Sequence, residues 1–360
     1  MKKQIADGRG ISRRDTLALA GAGAATALTG TLPRRGRAQN GTVAVGTWGG
    51  SYTEAQTVAF FEPFTEATGI EVEIVTGGNL TAGTIKAFVE TGYYEWDWTT
   101  LGASEYATAV RNGWLEPVNY TLVTEEGKTP DTQFLEFAVG AETISDVLTY
   151  RTDAFPDGGP ASWADFWNIE AFPGTRAMFK SPYPILEAAL LADGVSAEEL
   201  YPLDLDRAFA KADELKDEIT VWWESGTQSQ DIVINRNAVM AGLWNGRAAQ
   251  LKRDGVPVEL AWNGALYEPV MFAVPMGAPN KDNAMRLNDF ASSAEPLARF
   301  AELTFYGPSN LKAIDLVDPT LRPLMNTAPE NFAQSVHRDF SWWAENMEKV
   351  NERFVAWLIS

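Results

Sequence analysis

Residues that could do chemistry are thinly spread along this chain. There is no cysteine and a single histidine, His337. A thiol nucleophile, a cysteine-ligated metal and a disulfide framework are therefore excluded. A Ser-His-Asp hydrolase would have to turn on His337, whose setting "NFAQSVHRDF" reads instead as a polar position on a terminal amphipathic helix. Paired carboxylates could serve a glycosidase, but among 48 acidic residues such pairs discriminate little. The paired tyrosines of "GYYEWDW" could bind iron, yet no carboxylate or histidine partner can be placed beside them, so they read as packing. More informative is "VGTWGGSYTEA", residues 45 to 55, with Trp48, Gly49, Gly50, Ser51 and Tyr52 between a strand-like and a helix-like run. It admits three readings: a phosphate cradle, a buried structural turn, or a lip that holds a small ligand. The lysine and longer loop of a P-loop are missing, which leaves the last two.

The elements that must position this stretch alternate along the chain. "GTVAVGTW" is strand-like, and "TEAQTVAFFEPFTEATG" helical, with Gly69 suited to its C-cap and Ser51 with Glu54 to a capping box at its start. "IEVEIV", "WDWTTL", "SDVLTY", "AVMAGLW", "VPVELAW" and "EPVMFAVP" read as further strands. "TAGTIKAFVETG", "LDLDRAFAKADELKDEI", "NKDNAMRLNDFASS" and "AEPLARFAELTFYG" read as helices. The pattern is α/β with mainly parallel sheets, in which ligands bind beyond the carboxyl ends of strands. Residues 48–52 then stand at a site mouth, where the glycines let backbone approach a ligand and free helix amides can donate.

With 360 residues the chain can fill two domains, and a net charge of −19 argues against a nucleic-acid partner. The N-terminus joins paired arginines to a short run of small apolar residues that ends near Ala38, an export signal rather than a membrane span. Ser12, Arg13, Arg14 and Leu17 resemble the twin-arginine signal, with Thr16 where phenylalanine is usual. Removing residues 1–38 leaves 21 basic against 46 acidic residues, a net charge of −25. Without cysteine the mature end carries no lipid thioether, so a free periplasmic protein is expected.

Six segments, in order from about residue 43 to 358, resemble ABC-transporter solute-binding proteins of the spermidine/putrescine type. They are "FTEATGIEVEIV", "PASWADFWN", "AGLWNGRAA", "FAVPMGAPNKDNAMRLNDFASSAEPLARFAE", "FYGPSN" and "WWAENMEKVNERFVAWL". The resemblance implies a two-lobed periplasmic binding protein of type II, each lobe a mainly parallel sheet flanked by helices. Lobe one would hold 39–148 and 271–308, lobe two 149–270 and 309–360. The chain would cross near Leu148–Tyr150, Tyr267–Phe272 and Gly307–Leu311. The implied function is that of a receptor, not an enzyme. It would act as a monomer without cofactor or metal, and deliver a small amine-containing solute to a membrane permease. A secreted hydrolase and an ion receptor on the same fold are the alternatives.

Residue by residue, the resemblance lays Trp48, Trp244 and Tyr306 along the ligand, with Tyr52 close to an aromatic of the same loop. Aromatic faces suit ammonium groups through cation–π attraction. Gly49, Ser51, Ser104 and Gln228 complete the candidate set. One departure concerns charge. The acid that polyamine binders carry on the returning hinge strand falls on Val270, and Ser181 to Ile185 hold no acid before Glu187. Glu268, two residues earlier and so on the same strand face, is the expected substitute that meets the amine. The paired tryptophans Trp222–Trp223 and Trp342–Trp343 read as packing. Export through the twin-arginine route has a direct test. Arg13→Lys with Arg14→Lys should leave precursor in the cytoplasm on cell fractionation; a normal periplasmic yield would refute that route.

Overall fold

The computed structural model describes residues 41–77, 80–123 and 135–360; the export-signal reading of 1–38 lies outside the described residues. Among the described residues ten strands form one continuous sheet. β1 (Thr42–Thr47), β2 (Glu71–Thr76) and β3 (Trp98–Gly102) run parallel at one end. β5 (Arg176–Phe179), β6 (Ile219–Trp223) and β7 (Met240–Trp244) run parallel at the other. Two long strands join the halves, β4 (Val139–Arg151) and β8 (Val258–Ala273), paired antiparallel to each other. β8 pairs with β3 in one half, and β4 with β7 in the other. At about 3.3 Å per residue the 16 residues of β8 reach roughly 50 Å, enough to traverse both lobes. "VPVELAW" and "EPVMFAVP", expected as separate strands, are thus one. Gly264, at φ +79°, carries the chain through a bulge instead of ending it.

Two large apolar clusters mark the lobes. One gathers Phe60, Phe61, Phe64, Trp98, Phe272 and Phe300, and the other Trp163, Phe166, Ile185, Leu190, Met240 and Trp343. Ala313, Val317 and Met325 pack in the first cluster, while Val336, Val350 and Phe354 pack in the second. Two short strands lie along the crossing: β9 (Gly307–Pro308) pairs with β4 at Glu142–Thr143, and β10 (Val336–His337) with β8 at Leu266–Tyr267.

The first helix begins at Gly50–Gln56, passes through a π-turn at Thr57–Phe61 and ends at Glu62–Thr68, with Gly69 in the left-handed C-cap conformation. The capping box expected at Ser51 and Glu54 is absent. Gly49 and Gly50, at φ +78° and +58°, start the helix two residues early, so Gly49 takes the N-cap without a side-chain bond. His337 is on β10 rather than a helix, against the rings of Tyr267 and Phe340; the terminal helix Phe340–Ile359 starts after it, capped by Asp339. Tyr94 of "GYYEWDW" packs on Phe88 and donates to the Met276 carbonyl. Trp223 and Trp343 are core residues, and Trp222 packs on Phe354 and Trp357.

Phe272 lies where β8 enters the first lobe, fully buried, with its ring 5.7 Å from Phe60 and 4.9 Å from Trp98. Phe272→Ala should cost about 3–5 kcal/mol in denaturant unfolding, the range for a large aromatic removed from a core. A loss below about 1 kcal/mol would show that this junction bears no load.

Candidate functional site

The site begins on the crossing strands. In β4, Glu142, Ile144 and Asp146 alternate onto one face, and the register against β8 shifts at Gly140/Glu142 and again at Asp146/Leu148. Such irregularities re-aim side chains. Both acids are buried, at 1% and 4% exposure. Tyr52 donates its hydroxyl to Glu142 Oε1, whereas Glu142 Oε2 has no hydrogen-bond partner among the described residues. Asp146 Oδ2 accepts from Arg338 Nη2 at 2.9 Å, and Asp146 Oδ1 is likewise unpartnered. Burial pushes the Glu142 carboxyl up to about 7, against the Tyr52 hydrogen bond, which pulls it down. Burial also raises Asp146 to about 6, with the Arg338 charge pulling the other way.

Tyr306, whose hydroxyl feels the charges of both acids, also feels a cation from the second lobe, Arg247. Arg247 stands in the first turn of the helix Asn245–Arg253, which follows β7. Asn245 anchors that turn, accepting from the Ser145 amide and donating to the Phe305 carbonyl, each at 2.9 Å. Arg247 Nη1 donates to Ser51 Oγ at 2.7 Å, so the arginine reaches the lip of the first lobe. Its Nε is buried without a hydrogen-bond partner among the described residues. The guanidinium fits because residue 226 is glycine; a Cβ there would stand 2.5 Å from Nε. Burial raises the Tyr306 hydroxyl to about 12, the charge of Arg247 drawing it down and that of Glu142 up. Ser51, Tyr52, Thr227, Gln230, Arg247 and Tyr306 help line a cavity of about 570 Å³ that both lobes enclose.

Of the residues expected from the sequence, Ser51, Tyr52 and Tyr306 come together here. Trp244 is half-buried against Phe179 and Trp223, opposite Asp146 in the β4–β7 register. Trp48 is 56% exposed beside Gly49 at the lip. Ser104 is buried at the start of the helix Ala103–Arg111, its Oγ without a partner among the described residues, just past the Gly102–Val270 pairing. Gln228 is not among them: it is exposed and accepts from the Glu224 amide. Glu268, expected to meet the amine, already has an internal partner, accepting from Arg338 Nη1 at 3.2 Å. Sequence reasoning missed Glu142, Asp146, Arg247 and Arg338. Two acids spaced by four in the otherwise uncharged "AVGAETISDVLTY" were the available signal for the first pair. Among the described residues no group of three His, Asp or Glu side chains is arranged to hold a metal, and no helix is long and apolar enough to cross a membrane.

Residues 59–332 match the family described as bacterial extracellular solute-binding protein. The chain belongs to that family. This solute-binding protein is 34% identical over 326 residues to the gamma-aminobutyric acid-binding protein of Pseudomonas aeruginosa, across 89% of this chain and 92% of the relative. It is 25% identical over 169 residues to the spermidine/putrescine-binding periplasmic protein of Escherichia coli, about half of each chain. Among solved structures, the binding protein AgtB from Agrobacterium tumefaciens R10, in complex with agropinic acid, superposes with a TM-score of 0.80 at 29% identity. That match covers 90% of this chain and all of AgtB. The fold is that of the two-lobed periplasmic binding proteins, and the chain is a receptor rather than an enzyme. Its place is outside the cytoplasmic membrane, where it hands a small solute to the permease of an ABC importer.

The raised Glu142 carboxyl makes the ligand-free protein sensitive to pH. A folded pKa above the unfolded one contributes stability that is full below about 4.5 and lost as pH rises through about 7. Thermal unfolding of ligand-free protein should show roughly 2–3 kcal/mol less stability at pH 8 than at pH 4.5 from this group. Glu142→Gln should remove that share of the slope and leave the share from Asp146 and Glu268, which burial also raises; an unchanged slope in the variant would assign it to those groups alone.

Proposed function

We propose that this solute-binding protein receives a small solute carrying both an ammonium and a carboxylate. One observation carries the reading: Glu142 Oε2 and Asp146 Oδ1 are buried acceptors without a partner among the described residues, and Arg247 Nε is a buried donor in the same state. Buried polar atoms without partners are costly, and charged ones more so. A zwitterion relieves both kinds at once, its ammonium on the hinge-strand acids and its carboxylate on Arg247. Trp244 and Trp48 supply apolar faces for the carbon chain between them, and Tyr52 and Tyr306 border the path.

The named ligands of relatives agree with the carboxylate, and one of them with both groups. One is named for gamma-aminobutyric acid, and one was solved with agropinic acid. A polyamine, for which the Escherichia coli relative is named, has no carboxylate to offer Arg247. Glu268, engaged by Arg338, is not free to take a second ammonium. The role expected of Glu268 passes to Glu142 and Asp146.

Calorimetry with 4-aminobutanoate, n-butylamine and butanoate tests this reading. The zwitterion should bind at least a hundredfold more tightly than either half-molecule. Arg247→Met or Glu142→Gln should weaken it by about 2–5 kcal/mol, the cost of leaving a buried charge unpaired. Trp48→Ala or Trp244→Ala should weaken it by about 1–3 kcal/mol, as for aromatic anchors. n-Butylamine binding as tightly as the zwitterion, or full affinity in the Arg247 variant, would contradict the assignment.

A further inference from the structure

Arg338 is a buried cation of the second lobe, 1% exposed, and it follows β10 at the end of the last crossing. Three carboxylates from three elements converge on it. Glu187, from the helix Pro182–Ala192, accepts from Nε at 3.0 and 3.1 Å and from Nη2 at 2.9 Å. Asp146 of β4 takes Nη2 and Glu268 of β8 takes Nη1. The Tyr183 ring lies under the guanidinium, its centroid 4.5 Å from Cζ. Trp343 Nε1 donates to Glu187 at 2.9 Å, and Tyr201 donates to the same carboxylate.

Carboxylates around an aromatic face make a box for an organic cation. Here the cation is part of the chain. Fully ionised, the box holds three negative charges against one positive, more than a single guanidinium needs. Asp146 connects this box to the ammonium place proposed above: its Oδ2 binds Arg338, while its buried Oδ1 is unpartnered among the described residues. Cations on the two oxygens of one carboxylate stand roughly 5–6 Å apart by hydrogen-bond geometry. That is close to the separation of the two nitrogens in a four-carbon diamine.

We propose that Arg338 is a built-in stand-in for a second ligand cation and makes this receptor reject diamines. With the second cation place filled by the chain, one ammonium place remains at Asp146 Oδ1 and Glu142. The receptor therefore accepts solutes with one ammonium and excludes those with two. This inference rests on the ammonium placement proposed above. It adds a specificity-determining residue that sits beyond the ligand, on the far side of Asp146.

The test removes the internal cation and offers it back in solution. Arg338→Ala should bind 1,4-diaminobutane at least tenfold more tightly than wild type does in calorimetry. Millimolar methylguanidinium chloride should raise the Tm of Arg338→Ala, with no matching rise in wild type or with potassium chloride. Arg338→Lys, which keeps a cation in the box, should show neither gain. If Arg338→Ala does not fold alone, Arg338→Met with Glu187→Gln, which deletes one charge of each sign, takes the same two measurements. A folded variant that binds diaminobutane no better than wild type, or that responds equally to methylguanidinium and potassium, overturns the proposal. Wild-type selection of 4-aminobutanoate is measured separately, so its failure would sink the zwitterion reading and is distinguishable from a failure here.

Discussion

The rest of this structure depends on carboxylates buried where the two lobes join. Glu142, Asp146 and Glu268 stand on the strands that cross between them, and Glu187 closes in from the second lobe. Removing charge from water costs several kcal/mol per ion unless partners compensate. Arg338 compensates one side of the group and the Tyr52 hydroxyl part of the other. The uncompensated remainder, Glu142 Oε2 and Asp146 Oδ1, points to what the protein receives. A hinge built of apolar residues would be more stable, and it would have nothing with which to hold an ammonium.

The same placement links binding to closure. β4 and β8 belong to both halves of the sheet, so a ligand on Glu142 and Asp146 would sit where the lobes join. Arg247 and Ser51 come from opposite lobes and meet at 2.7 Å across the mouth. A carboxylate that engages Arg247 while its ammonium holds the hinge touches both sides, and those contacts exist together only when the lobes are near each other. Differential contact of this kind shifts the population toward the closed form. The glycines at 226 and 246 serve that geometry by clearing room, the first for Arg247 and the second for the Tyr306 ring.

Much of the fold was legible because apolar periodicity and end signals are local. β1, β2, β3 and β7, the helix Ala82–Thr91 and the Gly69 cap can all be read within a dozen residues. What was not legible depends on partners far apart in the chain. Nothing near Glu268 announces that Arg338, 70 residues on, will claim it. The bulge at Gly264 looks like a strand end until β4 runs past it. The Ser51–Glu54 pattern matches a capping box, but Arg247, 196 residues away, takes the serine hydroxyl. Trp48 and Trp244 are conspicuous in the sequence because they fall at the ends of β1 and β7, and Tyr52 because it falls in the first turn of the helix after β1. Glu142 and Asp146 lie within a strand, where two acids four positions apart are easily passed over.

The most direct measurement is the proton balance of binding. Glu142, raised to about 7, and Asp146, raised to about 6, hold protons near pH 6 in the ligand-free protein. An ammonium placed on them favours their ionised forms and expels those protons. Titration calorimetry with 4-aminobutanoate at pH 6, repeated in buffers of different ionisation enthalpy, reads the number released. The account predicts net release approaching one proton per ligand, falling toward zero above pH 8. Binding at pH 6 with no exchange, or with proton uptake, would contradict it.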